Sequence, residues 1–268
     1  MKDLKSSAEP KLSSTLILLK GNESPEILMV LRHSDIEFAP GAMVFPGGKL
    51  TEDDRHEDWR LHCHGEFSGN EMAVRIGGIR EAFEESGLLL ATLADAAPDE
   101  YVGQDICDQL APFRSGVDRG KISFLGLIRD HGLRLNLNAL QPFAHWITPE
   151  FLPKRFDTRF YVARTPKGQH AVHDGRETTE AVWSCAEDVL ARYAAGEVKL
   201  LFPTRVNLEM LEDLGATHSI LKFAKAENVV EVLPVLQKKD TGNVLVIPVE
   251  AGYRVTEEPL ERVMKTVG

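Results

Sequence analysis

Arg80-Glu81-Ala82-Phe83-Glu84-Glu85-Ser86-Gly87-Leu88 decides how this chain is read. Its three glutamates stand at i, i+3 and i+4, which on an α-helix places their side chains on one face. Like charges gathered on one stripe repel each other and destabilise an isolated helix. A divalent cation that seeks oxygen ligands turns that repulsion into attraction. The stretch therefore predicts a hard-metal site on the last turns of a helix. Upstream, Met72, Ile76, Ile79 and Phe83 recur at helical spacing and predict a helix from Glu71 to about Ser86 with one buried stripe. Gly87 suits the left-handed position that ends a helix. Gly77-Gly78 opposes the helix by ~1 kcal/mol per glycine against alanine. Either another backbone packs closely there or the helix begins near Gly78.

On either side, strands and helices mix without regular βαβ alternation, which points to an α+β class or a mixed sandwich. Ser14–Lys20 and Glu26–Arg32 read as a hairpin joined by Gly-Asn-Glu-Ser-Pro. Residues 1–13 read as a polar leader. Phe38–Leu50 reads as a Gly/Pro-rich loop around Met43-Val44-Phe45. Thr51–Gly69 reads as a polar inserted loop with a helical turn starting at Thr51. Leu88–Leu93 is an apolar run. Helices are expected around Glu100–Phe113 and Ile122–His131, and strands over Leu140–Thr148, Thr158–Ala163 and Glu180–Ser184. Further helices are expected over Ala186–Ala195, Pro203–Leu214 and Ser219–Ala226, then a strand over Asn243–Val249 and a charged tail. This gives a main domain over residues 14–203, with inserts at 51–70 and 92–137, and an extension over 204–268 packed on it. The tryptophans Trp59, Trp146 and Trp183 read as packing residues rather than a base-stacking platform.

The composition of the 268 residues sets bounds. A formal net charge of −10 disfavours a nucleic-acid footprint, which needs a basic surface, but leaves room for a small phosphate ligand. No run reaches the ~18 apolar residues of a membrane span, and no apolar segment near Met1 reads as a signal peptide. Cys63, Cys107 and Cys185 are odd in number and far apart, which suggests reduced thiols and a cytoplasmic protein. His62-Cys63-His64 lacks the partner pair a tetrahedral zinc site needs.

The loop before the helix completes a pattern. Phe45-Pro46-Gly47-Gly48 lets backbone approach a ligand closely. The order Gly48-x5-Asp54, a spacer, and Arg80-Glu81-x2-Glu84-Glu85-x-Gly87-Leu88 resembles the Nudix box, G-x5-E-x7-R-E-U-x-E-E-x-G-U with U apolar. The second half matches at every fixed position. Asp54 stands where the family has Glu, and the spacer holds 25 residues instead of 7, an insertion of 18. Long-insert members of this kind resemble coenzyme A and acyl-CoA diphosphatases of the peroxisomal type. The CoA branch carries L-L-T-x-R-S-x2-L-x4-G-x-V-x-F-P-G-G ahead of the box. Leu28, Arg32, Gly41 and Phe45–Gly48 fall in register with it; Ile36 and Met43 are conservative replacements, and Met29, Val30 and His33 depart from it.

The resemblance implies a Nudix fold: a mixed sheet between helices, with a helical insertion and a C-terminal extension. It implies hydrolysis of a diphosphate bridge with Mg²⁺ or Mn²⁺. The small-molecule substrate would be a nucleoside-diphosphate compound, foremost CoA or acyl-CoA, yielding 3′,5′-ADP and a 4′-phosphopantetheine product. ADP-ribose, NADH and nucleoside triphosphates are the alternatives, and a non-catalytic nucleotide-binding module is a further one. Glu81, Glu84 and Glu85 are the expected metal ligands, with Arg80 orienting a glutamate beside them. Arg32, Gly47 and Gly48 are expected at the substrate, Arg32 because its fork matches phosphate oxygens. Glu177 and Glu180 are candidates for a further carboxylate, since the family often places one before a late Trp-bearing strand. The general base stays open among these groups. The segments 92–137 and 204–268 could form a lid, an acyl pocket or a homodimer interface.

Overall fold

A computed structural model of the chain describes residues 8–35, 39–226, 229–240 and 242–267. The hairpin forms from β1 (Lys11–Lys20) and β2 (Glu26–Arg32), paired antiparallel with Leu19 opposite Ile27. β1 then pairs in parallel with β9 (Phe156–Arg164) along its whole length, from Lys11 opposite Phe156 to Leu19 opposite Arg164. Lys11–Ser13 thus belong to a strand, not to a leader. Their partner is remote in sequence, so local composition could not reveal it. Met1–Ser7, Ile36 and Phe38 lie outside the described residues.

The main sheet runs β10-β2-β1-β9-β8-β11, with β8 (Gln141–Ile147), β10 (Thr178–Ser184) and β11 (Glu231–Val232). β3 (Met43–Val44) and β4 (Gly47–Lys49) pair with β2 and β1, so the predicted loop over Phe38–Leu50 carries two short strands. Both faces of β1 are buried, which explains its unbroken apolar run. Leu16 and Leu18 face a core shared with α1 (Gly69–Ser86). Ile17 and Leu19 face a second core under α5 (Ala186–Ala194), α6 (Phe202–Leu214) and α7 (Thr217–Ala226). A mixed sheet therefore lies between two helical layers, an α+β Nudix fold. Among the described residues no helix is long and apolar enough to cross a membrane.

The glycine pair is explained by close packing. A Cβ on Gly78 would sit 2.6 Å from Ser14 Oγ and 2.9 Å from Leu16, and one on Gly77 would sit 3.3 Å from both Asp54 and Leu50. The helix runs through both glycines because a sheet and a loop press against them.

Between α1 and β8 stand β6 (Ala91–Leu93), α2 (Gln104–Leu110), α3 (Arg114–Asp118), α4 (Phe124–Asp130) and β7 (Leu133–Asn136). The insert within the box holds short 3-10 turns at Asp53–Arg55 and Glu57–Leu61, then β5 (Cys63–His64). β5, β7 and β6 form a small sheet that joins the two inserted segments. Trp59 is fully buried, its ring 5.6 Å from Phe124, whose ring lies 5.8 Å from Phe83 of α1. Asp53 accepts from the Ser123 hydroxyl at 2.7 Å and from Leu125 N at 3.0 Å, which caps α4.

After β11 come β12 (Val235–Lys239), β13 (Gly242–Val246), β14 (Glu257–Pro259) and α8 (Leu260–Val267). The expected charged tail is thus a strand and a helix. Leu260, Val263 and Met264 supply the i, i+3, i+4 spacing behind that helix. Tyr253 of this region donates to Asn207 of α6 at 2.8 Å and accepts from Trp146 of β8 at 2.9 Å. Arg205 of α6 pairs with Glu258 at 2.7 Å, both largely buried.

Candidate active site

Four elements bring the expected residues together. α1 presents Glu81, Glu84 and Glu85 on its last turns, and the strand-loop of Pro46–Lys49 lies over them. A Cβ on Gly48 would stand 2.5 Å from Glu81 Oε1, so glycine lets the loop and this carboxylate meet in their present positions. Gly47 N donates to Glu85 Oε2 at 3.0 Å. Arg80 Nη1 donates to Glu81 Oε1 at 3.0 Å and to Glu84 Oε2 at 2.9 Å. The other side of the same guanidinium grips Asp54 with two bonds, Nε to Oδ1 at 2.9 Å and Nη2 to Oδ2 at 3.0 Å. Asp54 is fully buried and also accepts from Thr51 N at 2.7 Å. It aims the arginine, and the arginine aims two glutamates.

The charge balance is lopsided. Asp54, Glu81 and Glu84 share the Arg80 guanidinium, while Glu85 accepts from Gly47 N. Burial, together with the charge of Glu81, pushes the Glu84 carboxyl up to about 8. Burial and then Glu81 hold Glu85 well above the ordinary carboxylate range, and burial raises Glu81 as well. Burial also opposes the charge on Arg80, but Glu81, Asp54 and Glu84 outweigh it and hold the guanidinium firmly protonated. The arginine is fully compensated, while Glu81 and Glu84 each receive only a share of it. Hard oxygen donors in negative excess, under a glycine turn, fit a divalent cation. Among the described residues no three acidic, histidine or cysteine side chains form a ready-made cage. Arg80 and Gly47 N hold the carboxylates in their present rotamers.

The end of α1 is fixed with unusual completeness. A helix leaves its last carbonyls without internal partners, and here each has one. Gly87 N donates to Phe83 O at 2.9 Å, with Gly87 in the left-handed conformation at φ 74°. Arg114 donates twice to Glu84 O, at 3.1 and 2.8 Å. The Thr178 hydroxyl lies 3.4 Å from Glu85 O, and Val172 N donates to Ser86 O at 2.8 Å.

The remaining expected residues divide. Arg32 ends β2, and its charge lowers Glu85, which puts it beside the cluster. Glu177 immediately precedes β10, and its charge raises both Glu81 and Glu85. Glu180 stands exposed on β10, opposite Leu31, and shows no contact with the cluster among the described residues. His64, from the apparent His-Cys-His motif, pairs with Thr92 Oγ1 at 2.7 Å. Asp174, which no motif singled out, accepts from the backbone N–H of Arg176, Glu177 and Thr178 and so shapes the loop carrying Glu177. An Asp followed at two, three and four residues by those donors is the turn signal that could have found it. Arg114 had no local signal, since its partner is a backbone carbonyl.

Comparison with known proteins bears on the family and the fold. The NUDT19 Nudix domain profile matches residues 61–211, more than half the chain. The acyl-coenzyme A diphosphatase NUDT19 of Xenopus laevis is 25% identical over 270 residues, covering 83% of this chain and 70% of that one. The human protein of the same name is 26% identical over 287 residues, covering 91% and 76%. The crystal structure of a Nudix hydrolase from Alicyclobacillus acidocaldarius superposes with a TM-score of 0.67 at 24% identity, covering 83% of this chain and 99% of that one, and shares the fold. The chain belongs to the NUDT19 Nudix domain family and is a Nudix pyrophosphohydrolase.

Proposed function

We propose that the chain hydrolyses the diphosphate bridge of CoA or acyl-CoA, with Mg²⁺ or Mn²⁺ held by Glu81, Glu84 and Glu85. The observation that carries this reading is the carboxylate cluster under Gly47-Gly48, in a chain similar over most of its length to proteins named acyl-coenzyme A diphosphatase. A divalent ion bound there would neutralise phosphoryl charge and acidify a water. Asp54 and Arg80 keep Glu81 and Glu84 in place, and Gly47 N keeps Glu85. Arg32 offers a planar fork to phosphate oxygens beside Glu85.

Hydrolysis adds hydroxide from water to one phosphorus, breaks the bridging P–O bond and leaves the electron pair on the departing phosphate. The proton of that water needs an acceptor. In this reading Glu177 is that acceptor, because its charge reaches Glu81 and Glu85 and its ion-pair partner is Arg176 rather than Arg80. The test is a substrate panel with purified protein and Mn²⁺. CoA and acyl-CoA should be cleaved with kcat/KM at least about tenfold above ADP-ribose, NADH and nucleoside triphosphates, the scale a few dedicated contacts provide. Preference for ADP-ribose would overturn the CoA assignment, and cleavage of nothing on the panel would favour a binding module.

A further inference from the structure

Within the helical insertion between α1 and β8, α3 touches the site at two points. Arg114 and Asp118 stand four residues apart, on one face of that helix. Arg114 is largely buried and donates twice to the carbonyl of Glu84. α1 carries no basic residue in its own last turn. Its C-terminal end, where the helix dipole is negative, holds three carboxylates, so a cation from elsewhere is strongly favoured there. Glu84 is therefore gripped at both ends, its carboxylate by Arg80 and its carbonyl by Arg114.

Asp118, one turn further on, pairs with Arg176. Arg176 adjoins Glu177, and the loop that carries both is set by Asp174. Thr178, next in line, reaches back to the carbonyl of Glu85. Glu177 is thus tied to α1 from one side by Thr178 and to α3 from the other through Arg176. We propose that α3 is a positioning clamp, in which Arg114 holds the end of the carboxylate helix and Asp118 holds the Glu177 loop, so that the two acidic groups keep a fixed spacing. Neither residue needs to touch substrate. Displacements of ~1 Å at such positions reduce turnover by ~10²-fold. The proposal rests on the metal-dependent reading of the site given above.

The experiment pairs Mn²⁺ binding, followed by electron paramagnetic resonance of the free ion, with turnover of CoA at saturating Mn²⁺. Arg114→Gln should weaken Mn²⁺ binding about tenfold, because it releases the backbone of Glu84. Arg114→Lys keeps the charge with a single donor and should fall between, which keeps the test standing if the glutamine variant fails to fold. Asp118→Asn and Arg176→Gln should each lower kcat about tenfold while Mn²⁺ affinity stays within about threefold. Asp118→Asn combined with Glu177→Gln should be no slower than Glu177→Gln alone, since both act through one carboxylate. Unchanged Mn²⁺ affinity in the Arg114 variants, or multiplying losses in the double variant, would overturn the clamp. An unaltered chain that binds Mn²⁺ no better than Glu84→Gln would overturn the metal reading and the clamp with it.

Discussion

Gly48 shows how much of the site hangs on single side chains, because the space its missing Cβ would fill is occupied by a carboxylate. A methyl group there would stand 2.5 Å from Glu81 Oε1 and 2.6 Å from its carboxyl carbon. Gly48→Ala must therefore swing Glu81 away from Arg80 or lift the loop from α1. Turnover should fall at least about tenfold, as expected when a reacting constellation shifts by ~1 Å. The melting temperature should move only a few degrees, because the neighbour that yields is the end of a side chain rather than packed core. Steady-state kinetics beside thermal melting checks both halves. Unchanged kinetics would mean that Glu81 lies outside the machinery. Asp54 is the residue-scale surprise: it is shorter than the glutamate of the family pattern, and an insertion separates it from Arg80. It still reaches Arg80 with both oxygens, because the 3-10 turn at Asp53–Arg55 brings it close.

At the scale of elements, α1 carries crowded carboxyl groups whose mutual repulsion a proton or a cation relieves. Glu84 has an ordinary value of 4.5 and is pushed up to about 8 by burial and by Glu81. A carboxyl raised on folding favours the folded state below its unfolded value, and that advantage is lost as pH rises through the folded value. In chelator, the melting temperature should therefore fall between pH 5 and pH 9. Added Mn²⁺ should remove most of that fall, because a cation stabilises the charged carboxylates. A flat metal-free profile would show that the glutamates are already compensated. The helix was legible from its Met72-Ile76-Ile79-Phe83 stripe and its closing Gly87, since both are local features. The reason for Gly77-Gly78 was not, because it lies in Ser14, Leu16 and Leu50 pressing on the helix from elsewhere in the chain. The same holds for Arg114: nothing nearby in sequence marks a guanidinium whose partner is the carbonyl of Glu84.

At the scale of the whole molecule, the inserts brace the carboxylate helix from behind. Trp59 is fully buried against Phe124, and Phe124 against Phe83 on the reverse side of the carboxylate helix. Trp59→Ala should cost ~3–5 kcal/mol, the range for truncating a buried aromatic. Denaturant unfolding checks this, and a loss under ~1 kcal/mol would mean that the insert is only loosely attached. The sequence showed an insertion and assigned Trp59 to packing, but could not show that its partner lies beyond α1. The long parallel pairing of β1 with β9 escaped for the same reason, since strand partners are set by tertiary contacts. On the proposed reading, the carboxylates of α1 join all three scales and make the chain a metal-dependent diphosphatase. Its most direct test is CoA hydrolysis against Mn²⁺ concentration, for the unaltered chain and for Glu84→Gln, with products identified by mass. Cleavage to 3′,5′-ADP and the 4′-phosphopantetheine product should require Mn²⁺ and fall by ~10²–10³-fold in the variant, the scale of losing one preorganised electrostatic group. Cleavage that ignores both the ion and the substitution would contradict it.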